Sequence, residues 1–256
     1  MRIPLSAMIE ILYGIHPVRE ALATRGRRIR ELWVNRSGQS RAVRELLVAA
    51  RSLDIRVRFY ERRRLDERAG TRAHQGIVAL VSAYSFAELE SIVKAASDEG
   101  PALILVLDGI QDPQNLGALI RTAHVCGVHG VVVPKDRAAP LTAAVYKASA
   151  GALEYTRVAR VTNVKQTLEH LKREAVWIVG LTMEGDRALY DLDLCQPTAL
   201  VIGGESSGIR PLVKRSCDVL AAISQGGQLN SLNAAAAGAM ALYEVMRQRL
   251  TAVGRK

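Results

Sequence analysis

From Ala102 to the C-terminal helix, short apolar runs alternate with segments of helical spacing, and this alternation constrains the fold more than any other feature. Leu103 to Leu107 (LILVL) is continuously apolar, as a strand covered on both faces must be. A helix over Leu116 to Cys126 follows, then a strand at Gly130 to Val133. Helices near Thr142 to Ala148 and Val164 to Glu174 flank a weaker strand, Tyr155 to Val161. Val176 to Leu181, Ala199 to Ile202 and Leu220 to Ile223 read as further strands. Pro211 to Ser216 reads as a short helix and Leu232 to Leu250 as a long, Ala-rich one. The pattern predicts an α/β fold, with a mainly parallel sheet and helices on both faces.

The first third reads as a separate, small α/β unit. Ile15 to Ala23 and Arg41 to Arg51 have helical spacing, while Glu31 to Asn35, Ile55 to Tyr60 and Gly76 to Val81 are strand-like. The polar stretch from Ser82 to Gly100 reads as a helical linker, and Pro101 marks a fresh start. The chain thus divides into a domain over 1–84, a linker over 85–100 and a larger domain over 101–256.

Charge separates the same two regions. Residues 1–84 hold 17 Arg and no Lys against 8 acidic residues, a net of +9, whereas the rest holds 18 basic and 17 acidic residues, a net of +1. Arginine's planar fork suits phosphates and stacked bases, so the first domain reads as an RNA- or DNA-binding module. A solvated basic surface is the alternative reading. No apolar run approaches the roughly 18 residues of a membrane span. Met1 to Glu10 lacks the pattern of a secretory signal. Cys126, Cys195 and Cys217 are scattered and odd in number, as in a reducing, cytoplasmic compartment.

No G-x-G-x-x-G loop follows the first strand of the larger domain, and no phosphate-loop, H-E-x-x-H or paired-Cys motif occurs. Three other segments carry candidate chemistry. The first, Asp108 to Ala123, leaves a strand, turns through Pro113 and enters a helix. Asn115 is expected as its N-cap, with Asp108 and Arg121 around one pocket. The second, Leu200 to Arg210, is a strand ending in a Gly-rich turn that carries Glu205, a carboxylate suited to a ribose hydroxyl or a cation. The third, Ile223 to Ala237, sets amides, hydroxyls and two glycines before an Ala-rich helix, where capping by Ser231 alone would account for one residue and not the set.

In order and spacing, these three segments resemble the SpoU (TrmH) branch of the SPOUT RNA 2′-O-methyltransferases across about residues 101–250. Tyr13-Gly14-Ile15-His16-Pro17-Val18 and His74-Gln75-Gly76-Ile77 resemble the N-terminal RNA-binding domain of one subgroup, which methylates a guanosine of large-subunit rRNA. Lys147 to Ala152 (KASAGA) matches another family segment. The resemblance implies a deep trefoil knot, a homodimer and S-adenosylmethionine as cofactor. On the family pattern Gly203, Ile223 and Leu232 would contact that cofactor, and Asn115, Arg121, Glu205, Ser231 and Asn233 match the polar active-site positions. Two positions depart from the pattern: Ser224 replaces a usual Pro, and Ala235 replaces a frequent Ser.

The expected reaction moves a methyl group from S-adenosylmethionine to a ribose 2′-hydroxyl of rRNA, without metal. An arginine with a pKa above about 12 is a poor base. Arg121 is therefore expected to orient the ribose, with a phosphate or Glu205 accepting the proton. Two alternatives stay open: a tRNA substrate, or a non-catalytic, ribosome-associated RNA-binding protein. Neither a membrane nor DNA is expected as a partner.

Overall fold

A computed structural model describes residues 9–24, 26–227 and 232–254. These form two compact units. The described residues up to Ser85 join Leu141–Tyr155 in the first, and Phe86–Pro140 joins the described residues from Thr156 onward in the second. Among the described residues, no helix is long and apolar enough to cross a membrane.

The first unit runs β1 (Ile9–Tyr13), α1 (Ile15–Thr24), β2 (Ile29–Asn35), α2 (Arg41–Ser52), β3 (Arg56–Tyr60), α3 (Arg62–Ala69) and β4 (Ile77–Ser82). Its sheet has the order β1-β4-β2-β3, with β4 antiparallel to β1 and β2, and β3 parallel to β2. In α2, Val43, Leu46, Leu47 and Ala50 are buried at helical spacing, and the Ser40 hydroxyl caps the helix by accepting from Val43 N. α3 has a single buried side chain, Leu65, which is why no periodicity announces it. The two motifs of this unit bind to each other. The Gln75 side chain accepts from Ile15 N at the start of α1, and the buried His74 ring lies between Asp66 and Gly76 N.

Leu141–Tyr155 belongs to this unit because it buries Val145, Tyr146 and Leu153 here, with its helix α6 (Ala143–Ala148) packed on β1. Arg27 is also buried; it pairs with Glu10 at 2.5 Å and faces Glu154 at 3.7 Å, with its guanidinium over the Tyr146 ring. A linear cut at residue 84 therefore leaves part of the first unit's packing in the larger segment.

The second unit begins with α4 (Leu89–Glu99), whose Ile92 and Ala96 enter the core; this helix falls in the stretch read as a linker. The chain continues through β5 (Leu103–Asp108), α5 (Pro113–Val125), β6 (Gly130–Pro134), β7 (Val158–Val161), α7 (Val164–Arg173), β8 (Trp177–Leu181), β9 (Arg187–Ala188), β10 (Thr198–Gly203), α8 (Pro211–Lys214), β11 (Val219–Ala222) and α9 (Ala234–Val253). The seven strands lie in the order β7-β6-β5-β10-β8-β11-β9, with every pairing parallel. One face buries Ile104, Val106, Ile178 and Val201 against α4 and α7. On the other, α9 packs on α5 and β10, so closely that Gly238 lies against Leu119 and Ile202. Each fully buried Leu or Ile contributes roughly 1.5–3 kcal/mol to holding these layers together.

Strand order places the site. The chain steps outward from β5 to β6 to β7, returns to β8, and then inserts β10 between β5 and β8. The carboxyl ends of β5, β10, β8 and β11 thus meet where the direction of winding reverses, the place where open α/β sheets hold ligands.

Candidate active site

The close approach of backbones sets the geometry of this sheet end. A Cβ on Gly203 would lie 2.0 Å from the carbonyl carbon of Gly208, and one on Gly204 would lie 2.3 Å from Gly109 O. Only glycine fits either place. Gly204 N donates to Asp108 O, and Gly208 N donates back to Gly204 O, closing the turn that carries Glu205. Beneath it, the buried Asp108 carboxylate accepts Arg210 Nε and N at 2.8 Å each and Nη2 at 2.5 Å. The guanidinium meets Oδ1 and the backbone N meets Oδ2, and together they tie the end of β5 to the segment leaving the turn. Removing Arg210 would leave the buried Asp108 carboxylate without its cationic partner.

A cleft of about 360 Å³ opens beside the turn, and Gly203, Ile223 and Leu232 all line it. Its apolar wall includes Leu181, Ile202, Ile209 and Ala221, while Glu205, Thr182, Glu184 and Lys214 supply polar groups. Lys214 Nζ donates to Glu184 at 2.9 Å, which holds the Glu184 carboxyl below its ordinary range. Sequence reasoning missed Thr182, Glu184 and Lys214. The one available signal was Gly185 just past a strand end, where a Cβ would meet the Ala221 backbone at 2.4 Å.

Three of the expected polar residues form one chain. Asn233 Nδ2 donates to Asn115 Oδ1 at 3.0 Å, and Asn115 Nδ2 donates to Glu205 Oε1 at 2.6 Å. Residues from three separate segments thereby fix the Asn115 amide and one oxygen of Glu205. Asn115 is buried inside α5 and does not cap it. Asp112 does, accepting from Gln114 N, because Pro113 takes the first helical position. Asn233 caps α9 through Ala235 N and Ala236 N, and the Ser224 hydroxyl donates to the Tyr190 hydroxyl at 3.4 Å. Ser231 lies outside the described residues.

Arg121 stands apart. It is exposed on α5, makes no ion pair among the described residues, and is absent from the described lining of the cleft. Asp108 is engaged by Arg210, and neither Asp108 nor Arg121 is among the described residues lining this cleft. The cleft and its fixed carboxylate can seat an apolar-faced ligand and receive a proton at the second oxygen of Glu205.

Known proteins carry the same arrangement of sequence. The SpoU rRNA Methylase family matches residues 102–243, and the RNA 2′-O ribose methyltransferase substrate-binding family matches residues 11–87. RlmB of Pseudomonas aeruginosa, a 23S rRNA (guanosine-2′-O-)-methyltransferase, is 41% identical over 243 residues, covering 94% of this chain and 97% of its own. Its namesake in Haemophilus influenzae is 38% identical, covering 95% and 99%. The crystal structure of the SpoU methyltransferase AviRb from Streptomyces viridochromogenes, in complex with the cofactor AdoMet, matches with a TM-score of 0.80. It is 28% identical and covers 94% of this chain and 90% of that one. The chain belongs to the SpoU rRNA methylase family.

Proposed function

We propose that this chain transfers a methyl group from S-adenosylmethionine to the ribose 2′-hydroxyl of a guanosine in 23S rRNA. The observation that carries the reading is the Glu205–Asn115–Asn233 chain at the rim of the Gly203 cleft in a member of this family. The RlmB relatives, similar over nearly their whole length, supply the choice of 23S rRNA and guanosine. The test is to incubate the purified chain with 23S rRNA and methyl-labelled S-adenosylmethionine and map the labelled ribose. Label on a 23S guanosine supports the reading, label on tRNA alone moves the substrate, and no label on any RNA removes the activity.

The cleft fits that cofactor. Ile202, Ile223 and Leu232 offer faces for a purine, and the missing Cβ atoms of Gly203 and Gly204 let the turn close against Gly208 and Gly109, which sets the cleft's edge. Once bound, S-adenosylmethionine supplies an electrophilic methyl carbon. The chain must then align a ribose hydroxyl with it and remove the hydroxyl proton, and positioning alone contributes several kcal/mol. Glu205 Oε1 is held by Asn115, which leaves Oε2 to take the proton. The role of Arg121 is to orient the ribose and stabilise the developing alkoxide with its fork.

Since Arg121 lies outside its own cleft, this role calls for a second copy. Exposed Met240, Tyr243 and Leu250 form one stripe of α9, and Val125 is exposed on the neighbouring α5. A two-fold homodimer through α5 and α9 would cover them. The trefoil knot belongs to the same proposal, supported by β10 entering between strands already laid down. So do a cytoplasmic location and an RNA-binding role for residues 1–84.

A further inference from the structure

In the first unit, α3 lies over the aromatic side chains of β2 and β3. Trp33 and Tyr60 meet edge to face, with centroids 6.0 Å apart. Arg68 lies 4.8 Å from the Tyr60 centroid and 5.3 Å from that of Trp33, and Arg64 lies 5.9 Å from Tyr60. Both arginines are exposed, and neither makes an ion pair among the described residues. The carboxylates of this region are engaged elsewhere: Glu61 with Arg36, Asp66 with His74, and Glu67 with Arg63.

A carboxylate partner would orient a guanidinium and also neutralise it. A ring face orients the guanidinium and leaves its charge intact. Like charges four residues apart on a helix are destabilising, so an unneutralised Arg64–Arg68 pair is a local cost that folding alone does not require. What the pair offers is two oriented, cationic, planar groups on a surface whose first 84 residues carry a net +9. Stacked guanidinium planes suit the exposed face of a nucleobase, and bases expose their faces only where RNA is unpaired.

We propose that the Arg64–Arg68 face of α3, backed by Tyr60 and Trp33, is a stacking contact for an unpaired base of the RNA substrate. The proposal rests on the RNA reading above and adds the contact and the kind of RNA. The test is fluorescence anisotropy of the full chain with two labelled probes, an RNA stem-loop and a blunt duplex of the same stem. The double variant Arg64→Lys/Arg68→Lys keeps the charge and loses the planes. It is expected to weaken stem-loop binding about tenfold, with duplex binding within about twofold and the salt dependence unchanged. Unchanged stem-loop binding by the double Lys variant overturns the proposal. So does an equal loss on both probes, since that describes a phosphate contact. Failure of the unsubstituted chain to bind either RNA removes the RNA reading itself, a result distinct from both.

Discussion

The two regions use charged residues in opposite ways. Residues 1–84 carry a net +9, most of it displayed outward. Residues 85–256 are nearly neutral, and their important charges are placed one at a time, with Asp108 locked to Arg210 and Glu205 held by Asn115. Number governs attraction, because many phosphate contacts add. Placement governs chemistry, because a group about 1 Å out of place can cost roughly a hundredfold in rate. Mutations in the second region should therefore change turnover with little effect on RNA affinity, and changes in ionic strength should do the reverse.

The largest effects are expected at Glu205 and Arg121. Glu205→Gln keeps the contact with Asn115 and removes the proton acceptor, so turnover should fall about 10²- to 10⁴-fold while cofactor affinity stays close to normal. Arg121→Ala should cost a similar amount, again sparing cofactor affinity, because Arg121 is outside the cleft lining. Arg121→Lys separates orientation from base chemistry: a lost fork predicts low activity at every pH, whereas a base would show activity rising with pH. Full activity in Arg121→Ala would falsify any catalytic role for that residue.

Ionic strength should act next, on the other region. If about four phosphates are neutralised, a fourfold rise in salt weakens RNA binding about a hundredfold. Calorimetry with the cofactor alone should show almost no salt effect. A shared salt dependence would break the comparison. Gly203→Ala should follow: its Cβ meets the Gly208 backbone at 2.0 Å, and overpacking of about 1–3 kcal/mol predicts cofactor binding weaker by roughly 10- to 100-fold, with RNA binding retained. Cofactor affinity equal to that of the unsubstituted chain would show that this turn yields easily.

Much of this was legible in the sequence. The long parallel run was readable because buried strands such as β5 are continuously apolar, whereas Gly203, Ile223 and Leu232, which line the cleft, were legible only through the family resemblance. The hidden parts have physical causes. β1 is a short edge strand, and α3 has one buried residue and no stripe. Asn115 looked like a cap because polar residues at helix starts usually are, yet its partner Glu205 is ninety positions away. Leu141–Tyr155 sits between two strands of one unit in sequence and packs in the other, which no local pattern can reveal.

Arg27 gives the comparison its sharpest limit. Counting treats all 17 arginines as surface charge, but Arg27 is only 7% exposed and its side chain is packed against Glu10, Glu154 and Tyr146. Burial raises the Glu154 carboxyl above its ordinary value of 4.5, against the opposing pull of Arg27. The folded chain therefore holds this proton more tightly than the unfolded chain does. Its contribution to stability is greatest below the ordinary carboxyl range and declines as pH rises through the interval above 4.5. Glu154→Gln removes the titration and leaves Arg27 with Glu10 and the Ser82 carbonyl. Calorimetric melting of the variant should then show a flatter pH dependence above 4.5, and at neutral pH a midpoint within about 4–8 °C of the unsubstituted chain. This is the smallest effect predicted. A drop well beyond that range at neutral pH would mean that Arg27 needs both carboxylates. The first unit would then also depend on charges placed one at a time.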